Sequence, residues 1–288
     1  CDWSSDVCSS DLLSSALVSS ILKNGGQVRM NCPVSRFLTD DSGRVTGVSA
    51  NGEDYYAKEI VSNIIPDSVY HMMDKKAVPR QNLRLANAQE LAVSAYTIYL
   101  GLDRNADELG INDYTVFIME DEESEKQHDN RSSYIVNCLN KVIPDCSPEG
   151  TCMLFFTVLC YGNDIPDTLK PEEYRKFKFR MAEKYIRDYE ETLGLDIRSH
   201  IEEIEIATPV TFARYLGTPG GTIYGYKLSR WDNLIARILD RNADNSIPGL
   251  TFVGGHSDRG SGYSSTYSSG LNAAKSILER IGGADGKI

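Results

Sequence analysis

Apolar positions recur along this chain with two periods, and the changes between them mark its elements. Leu13, Ala16, Leu17 and Ile21 share one face of a short helix from Leu13 to Lys23, stopped by Gly25-Gly26. Strands are then expected at Gln27–Met30, Pro33–Thr39, Arg44–Ala50, Asp54–Ala57 and Glu59–Ser62. Asp40-Asp41-Ser42-Gly43 and Asn51-Gly52 are the turn signals between them. From Pro66 to about Pro209 the pattern changes to long apolar strands, Val93–Leu102 and Thr151–Tyr161, with an acidic surface loop from Glu120 to Arg131 between them. Pro171 to Leu193 reads as a helix with Pro171 at its start, Gly194 at its end and a stripe of Tyr174, Phe177, Met181, Tyr185 and Tyr189. Such a stripe belongs to a core, so this middle block is a sheet covered by helices.

The chain then returns through an alternating strand, Ile201–Ala207, and a helix, Val210 to Leu216, that Thr208-Pro209 caps and Gly217 stops. The stretch Thr218 to Tyr226 combines glycines with two tyrosines and reads either as a long turn or as the lining of a site. Pro248-Gly249 launches a buried strand, Leu250–Val253, followed by Gly254, Gly255, Gly260 and Gly262. A last helix runs from about Ser265 to Arg280, with Leu271, Ala274, Leu278 and Ile281 on one face. A strand that ends in glycines and enters a helix gathers bare N–H groups at one point, which suits an anionic ligand group. The plainer account is a glycine-rich connection. It is not the dinucleotide fingerprint, which needs a further strand ending in an acid roughly 20 residues on, and Ile288 comes first.

Composition adjusts this picture at a few points. Cys1 to Leu12 reads as the in-frame translation of a common sequencing adapter, so those residues are set aside from the fold. On that reading the chain is the C-terminal part of a longer protein, and by itself it is expected to bind cofactor poorly and to aggregate. The length of 288 residues fits two domains. A formal net charge of −11, in which Asp2, Asp6 and Asp11 of the first stretch take part, argues against a nucleic-acid partner. No apolar run is long enough to span a bilayer. Beyond the first stretch, Cys32, Cys138, Cys146, Cys152 and Cys160 make no Cys-x-x-Cys pair, which fits a reducing compartment without structural zinc. No Ser-His-Asp set or metal-ligand spacing stands out.

Four separated pieces carry a family resemblance. They are Gly25-Gly26-x-Val28 with Val34, Ile60-Val61-Ser62-Asn63, the run from Thr208-Pro209 through Tyr215 to Tyr224-Gly225, and the block from Pro248 to Ala274. Their order and spacing resemble the C-terminal part of phytoene desaturases, carotenoid isomerases and retinol saturases, FAD-dependent oxidoreductases of the amine-oxidase group. The resemblance implies an α/β and α+β fold, in which a partial, glutathione-reductase-like FAD domain (13–65 and 203–288) carries an inserted sheet-plus-helix substrate domain (66–202). It implies FAD as cofactor, with Val34 near the adenine, Gly254 and Gly255 near the pyrophosphate and ribityl chain, and Ser265, Thr266 and Tyr267 facing the flavin pyrimidine. Val34 and Gly254 are therefore expected to face one cavity. The sequence departs from several relatives at Ser257-Asp258-Arg259, where they carry Thr-His-Pro, and at Ser265-Thr266-Tyr267, where they carry Gly-Ala-Val.

The chemistry implied is desaturation, saturation or isomerisation of C–C bonds in a polyisoprenoid or similar apolar molecule. A flavin amine oxidase and a non-catalytic lipid binder of the Rab GDP-dissociation-inhibitor type stay open beside it. His256 and Arg259 are the candidates to donate or accept a proton beside the ring, and Tyr224 the candidate substrate contact. The aromatics Tyr96, Tyr99, Phe155 and Phe156 line a channel or form the core, and strand alternation lets only one of Phe155 and Phe156 face any one side. A cytoplasmic setting is expected, with peripheral membrane contact open and the oligomeric state unassigned.

Overall fold

The structure is a computed structural model, and it describes residues 9–119, 133–165, 168–227, 247–256 and 262–282. The acidic stretch Glu120 to Arg131 lies outside those residues, as does Arg259.

The first helix, α1, runs Ser9–Lys23. Its expected apolar face is present but meets no core, and Leu17 and Ile21 remain exposed. Residues 27–30 form no strand. Among the described residues no neighbouring strand takes up their N–H and C=O groups, and Met30 is 79% exposed.

Strands β1 (Val34–Thr39), β2 (Val45–Ala50) and β3 (Glu53–Tyr56) make the antiparallel meander. Asp40 fixes its first turn by accepting from the N–H groups of Ser42 and Arg44 at 2.9 and 3.0 Å. Asn51 and Gly52 both take positive φ, the geometry of a hairpin turn whose twist matches its strands. Strand β4 (Ile60–Ser62) pairs in parallel with β10 (Leu250–Phe252), so chain ends far apart in sequence meet side by side. Two short helices that periodicity did not reveal, α2 (Pro66–His71) and α3 (Arg80–Ala88), follow β4. Phe37, Val45, Val69, Tyr70, Leu250 and Phe252 share one core, on which Val34 packs. Glu59 ties this unit's edge together, meeting Arg44 at 2.7 Å and Arg280 at 3.1 Å. Burial pushes its carboxyl up, yet the two arginines prevail and hold it below the usual range.

The second core belongs to a five-stranded antiparallel sheet in the order β6-β7-β8-β5-β9. Its strands are β5 (Ser94–Leu102), β6 (Thr115–Ile118), β7 (Tyr134–Cys138), β8 (Cys152–Cys160) and β9 (Ile201–Ala207). Helix α4 (Pro171–Leu193) covers one face, burying Ala182, Tyr185, Ile186 and Tyr189 against Ile98, Leu100, Leu154 and Phe156. Gly194 ends it in the left-handed region, and buried Glu190 accepts from the N–H groups of Ile197 and Arg198, each at 2.7 Å. Strand β9 is the edge of this sheet, and α2 lies with the first core, so positions 66 and 203 are not where the two cores divide.

Helix α5 (Pro209–Leu216) turns the chain back, with the buried Thr208 hydroxyl accepting from Val210 N–H at 3.2 Å as its cap. The glycine-rich loop that follows is tied to the approach of β5. Ser94 donates to the Gly221 carbonyl at 2.6 Å, and Ala92 N–H to the Gly225 carbonyl at 2.9 Å. Helix α6 (Tyr263–Gly282) closes the described chain.

The five cysteines are unbridged, and among the described residues no group of His, Cys, Asp and Glu is placed to hold a metal ion. No helix there is long and apolar enough to cross a membrane.

Candidate flavin site

Strands β4 and β10 run in parallel and end at the same level. Ligands of open α/β sheets collect outside such carboxyl ends. Just there lies a cavity of about 520 Å³, within the range of small-molecule sites. Four pieces of chain wall it: Asn63 and Ile65 after β4, Gly255 and His256 after β10, Leu216 to Gly225 from the glycine-rich loop, and Gly262, Tyr263 and Thr266 from the start of α6.

Backbone crowding at two glycines sets the shape. Gly254 has φ +103°, its N–H donates to Ser269 Oγ at 3.2 Å, and a Cβ there would stand 1.8 Å from Asn63 Oδ1. A Cβ on Gly225 would stand 3.1 Å from the His256 nitrogen, so the loop lies directly on the end of β10. Both positions need a residue without a side chain.

No Asp, Glu, Lys or Arg lines the cavity among the described residues. His256 is its one titratable imidazole. His256 is half-buried, its ring stands edge-on to Phe252 with centroids 6.1 Å apart, and Nε2 is sealed from water without a hydrogen-bond partner. Burial pushes its pKa down to about 4, so the imidazole is neutral at pH 7. Thr218 Oγ1 is likewise buried and unpartnered. Orphaned donors and acceptors of this kind are costly unless a ligand or water meets them.

The expected site residues divide. Gly255, His256, Thr266 and Tyr224 line the cavity, and Gly254 shapes its floor. Thr266 spends its hydroxyl on its own helix, donating to the Gly262 and Tyr263 carbonyls at 2.9 and 3.1 Å. Ser265 and Tyr267 are not in the lining, and Tyr267 stacks on Tyr263 at 6.4 Å. Val34 is not in the lining either: it packs against the core beneath β10. The hydrogen bond from Thr266 N–H to the Gly262 carbonyl, 3.0 Å long, opens α6, and Gly262 and Tyr263 at its start lie at the cavity wall. Thr218 and Thr222 belong to the stretch expected as a turn or a lining, and both line the cavity, whereas Asn63 was not expected there. Asn63 had a readable signal, since it closes Ile60-Val61-Ser62-Asn63, one of the four pieces that carry the family resemblance.

The profile of the family described as "Flavin containing amine oxidoreductase" matches residues 10–278. The chain belongs to this family. Among its curated relatives, the chloroplastic prolycopene isomerase of Daucus carota is 25% identical over 94% of this chain and 43% of its own length. The 4,4'-diapolycopene oxygenase of Methylomonas sp is 27% identical over 83% of this chain and 47% of its own. The 4,4'-diaponeurosporene oxygenase of Staphylococcus haemolyticus is 29% identical over 81% and 46%. The chain thus spans less than half the length of these relatives. Two solved structures share the fold. Reduced UDP-galactopyranose mutase has a TM-score of 0.63 at 11% identity, covering 98% of this chain and 53% of the mutase. Putrescine oxidase bound to putrescine has a TM-score of 0.60 at 14% identity, covering 94% and 53%. The mixed helix-and-strand fold is therefore that of flavin amine-oxidase-type proteins, and the family's cofactor is a flavin.

Proposed function

We propose that this chain is part of an FAD-dependent oxidoreductase that desaturates, saturates or isomerises C–C bonds of a long apolar, carotenoid-like substrate. Among the described residues no Asp, Glu, Lys or Arg lines the cavity, and this supports the reading. An amine substrate gains most from a carboxylate as countercharge, and none lines the cavity among the described residues. An apolar chain needs only area, at about 25 cal/mol per Å² removed from water. The relatives named above carry prolycopene, diapolycopene and diaponeurosporene in their names, which points the same way.

The residues present fit a flavin. Gly255 and Gly262 line the cavity, with open space where a Cβ on Gly262 would stand, which admits a phosphate or ribityl group closely. The start of α6 favours negative charge by about 0.3–1 kcal/mol. Bound there, FAD supplies the two-electron exchange with the substrate. The chain's own residues bind and orient. His256 Nε2 and Thr218 Oγ1 offer hydrogen bonds that no group among the described residues satisfies. Tyr224, 40% exposed on the loop over the cavity, is the side chain placed to contact substrate. We further read the molecule as an FAD-side unit (13–65 and 203–288) carrying a substrate unit (66–202). The two separate cores support this, and they favour moving the borders toward the ends of α3 and β9.

Two measurements test the proposal. The whole oxidoreductase of which this chain is proposed to be part should show flavin absorption at one FAD per molecule and convert an acyclic carotenoid supplied in liposomes, whereas this chain alone should bind FAD poorly. Tyr224→Ala should keep the flavin spectrum while turnover falls or substrate affinity weakens. Unchanged turnover together with unchanged affinity would remove Tyr224 from the site.

A further inference from the structure

The five-stranded sheet has a second face, away from α4, and its cross-strand rows place distinct chemistry there. Directly paired residues on β8, β5 and β9 share a face. One row reads Phe155, Tyr99, Glu205, and the next reads Met153, Gly101, Glu203. Gly101 leaves a hollow in the second row, since it has no side chain and a Cβ there would press on the Cβ of Glu203 at 3.3 Å. Ser147, Pro148 and Thr151 raise a wall from the loop before β8. The result is a cavity of about 340 Å³.

Its chemistry is uneven. The Tyr99 and Phe155 rings lie 6.3 Å apart at 33°, and Tyr99 is held out at 47% exposure in the middle of a sheet. Glu202, Glu203 and Glu205 complete the lining, in which no Lys, Arg or His stands among the described residues. These glutamates form no ion pair or hydrogen bond with any other side chain among the described residues. Carboxylates crowded on one edge strand repel each other unless something cationic arrives. They do not converge as a metal site. An anion is repelled, and a neutral hydrocarbon gains nothing from the acidic side. Aromatic faces beside carboxylates satisfy both halves of one ligand class.

We propose that this pocket binds a small organic cation with an apolar body, an alkyl or quaternary ammonium. The Tyr99 and Phe155 rings take the alkylated surface, and Glu203 and Glu205 supply the countercharge. This pocket shares no lining residue with the cavity at the end of β10, so the proposal stands or falls independently of the flavin reading.

Calorimetric titration with choline and with its uncharged isostere 3,3-dimethyl-1-butanol tests it. Choline should bind at least about tenfold more tightly than the isostere. Tyr99→Ala and Glu205→Gln should each weaken choline about 3- to 30-fold. Tyr99→Phe, which keeps the ring, should retain binding, and added salt should weaken it. Equal affinity for both compounds, no binding of choline, or choline binding unchanged in both weakening variants would overturn the proposal.

Discussion

His256 is the side chain whose surroundings reach furthest into measurable behaviour. Its folded pKa of about 4 lies below the ordinary value of 6.5, because burial disfavours the charged ring. Unfolded chains therefore bind this proton first as pH falls. The stability contributed by a neutral His256 is complete above about pH 6.5 and declines as pH falls toward 4, by about 3 kcal/mol for the full interval. Urea unfolding at pH 7 and pH 4.5 should show this loss, and His256→Gln should remove most of it. A variant with the same pH dependence as the parent would place the titration elsewhere. At this scale the sequence was partly readable. The glycine cluster announced a backbone that something approaches closely, and the close approach proves to be to Asn63 Oδ1 and to the loop at Gly225. The burial of His256 had no sequence signal, because it depends on a loop that arrives from thirty residues upstream.

Among the elements, β5, β8, α4 and β9 were legible because each has length and a clear period. Strands β6 and β7 were not, being short and separated by a polar stretch. Helix α2 escaped because six residues carry too few apolar positions for a period to stand out. Helix α1 shows the opposite failure, in which a good pattern finds no surface to bury against. Alternation along β8 makes a sharp prediction. Phe156 is fully buried and packs edge-on against Tyr189 at 5.4 Å, whereas Phe155 faces the uncovered side. Phe156→Ala should cost about 3–5 kcal/mol. Phe155→Ala should cost well under half of that, as judged by chemical denaturation. Equal losses would mean that the second face is covered in solution.

On the scale of the whole molecule, two cores meet through the glycine-rich loop, which hydrogen-bonds to the approach of β5 and touches the end of β10. Which strands belong together could not be read from periodicity, since pairing across the chain leaves no local trace. Ligand binding should therefore be visible in overall stability. FAD at 100 times its dissociation constant should stabilise the protein by about 2.7 kcal/mol. Thermal unfolding with and without FAD measures this, and an unchanged midpoint at saturating FAD would contradict a site at the end of β10.

The parallel pairing of Ile60 with Leu250 also orders events in time. A ribosome adding about 5–20 residues per second needs roughly 10–40 s to travel from one strand to the other. The five-stranded sheet, whose strands all lie between those two points, can assemble during that interval. Strand β4 and the meander beside it must wait with an open edge until β10 emerges. The cavity at the ends of β4 and β10 thus cannot close before the sheet strands between them have been made, and the half-made chain depends on whatever shields the β4 edge until β10 arrives.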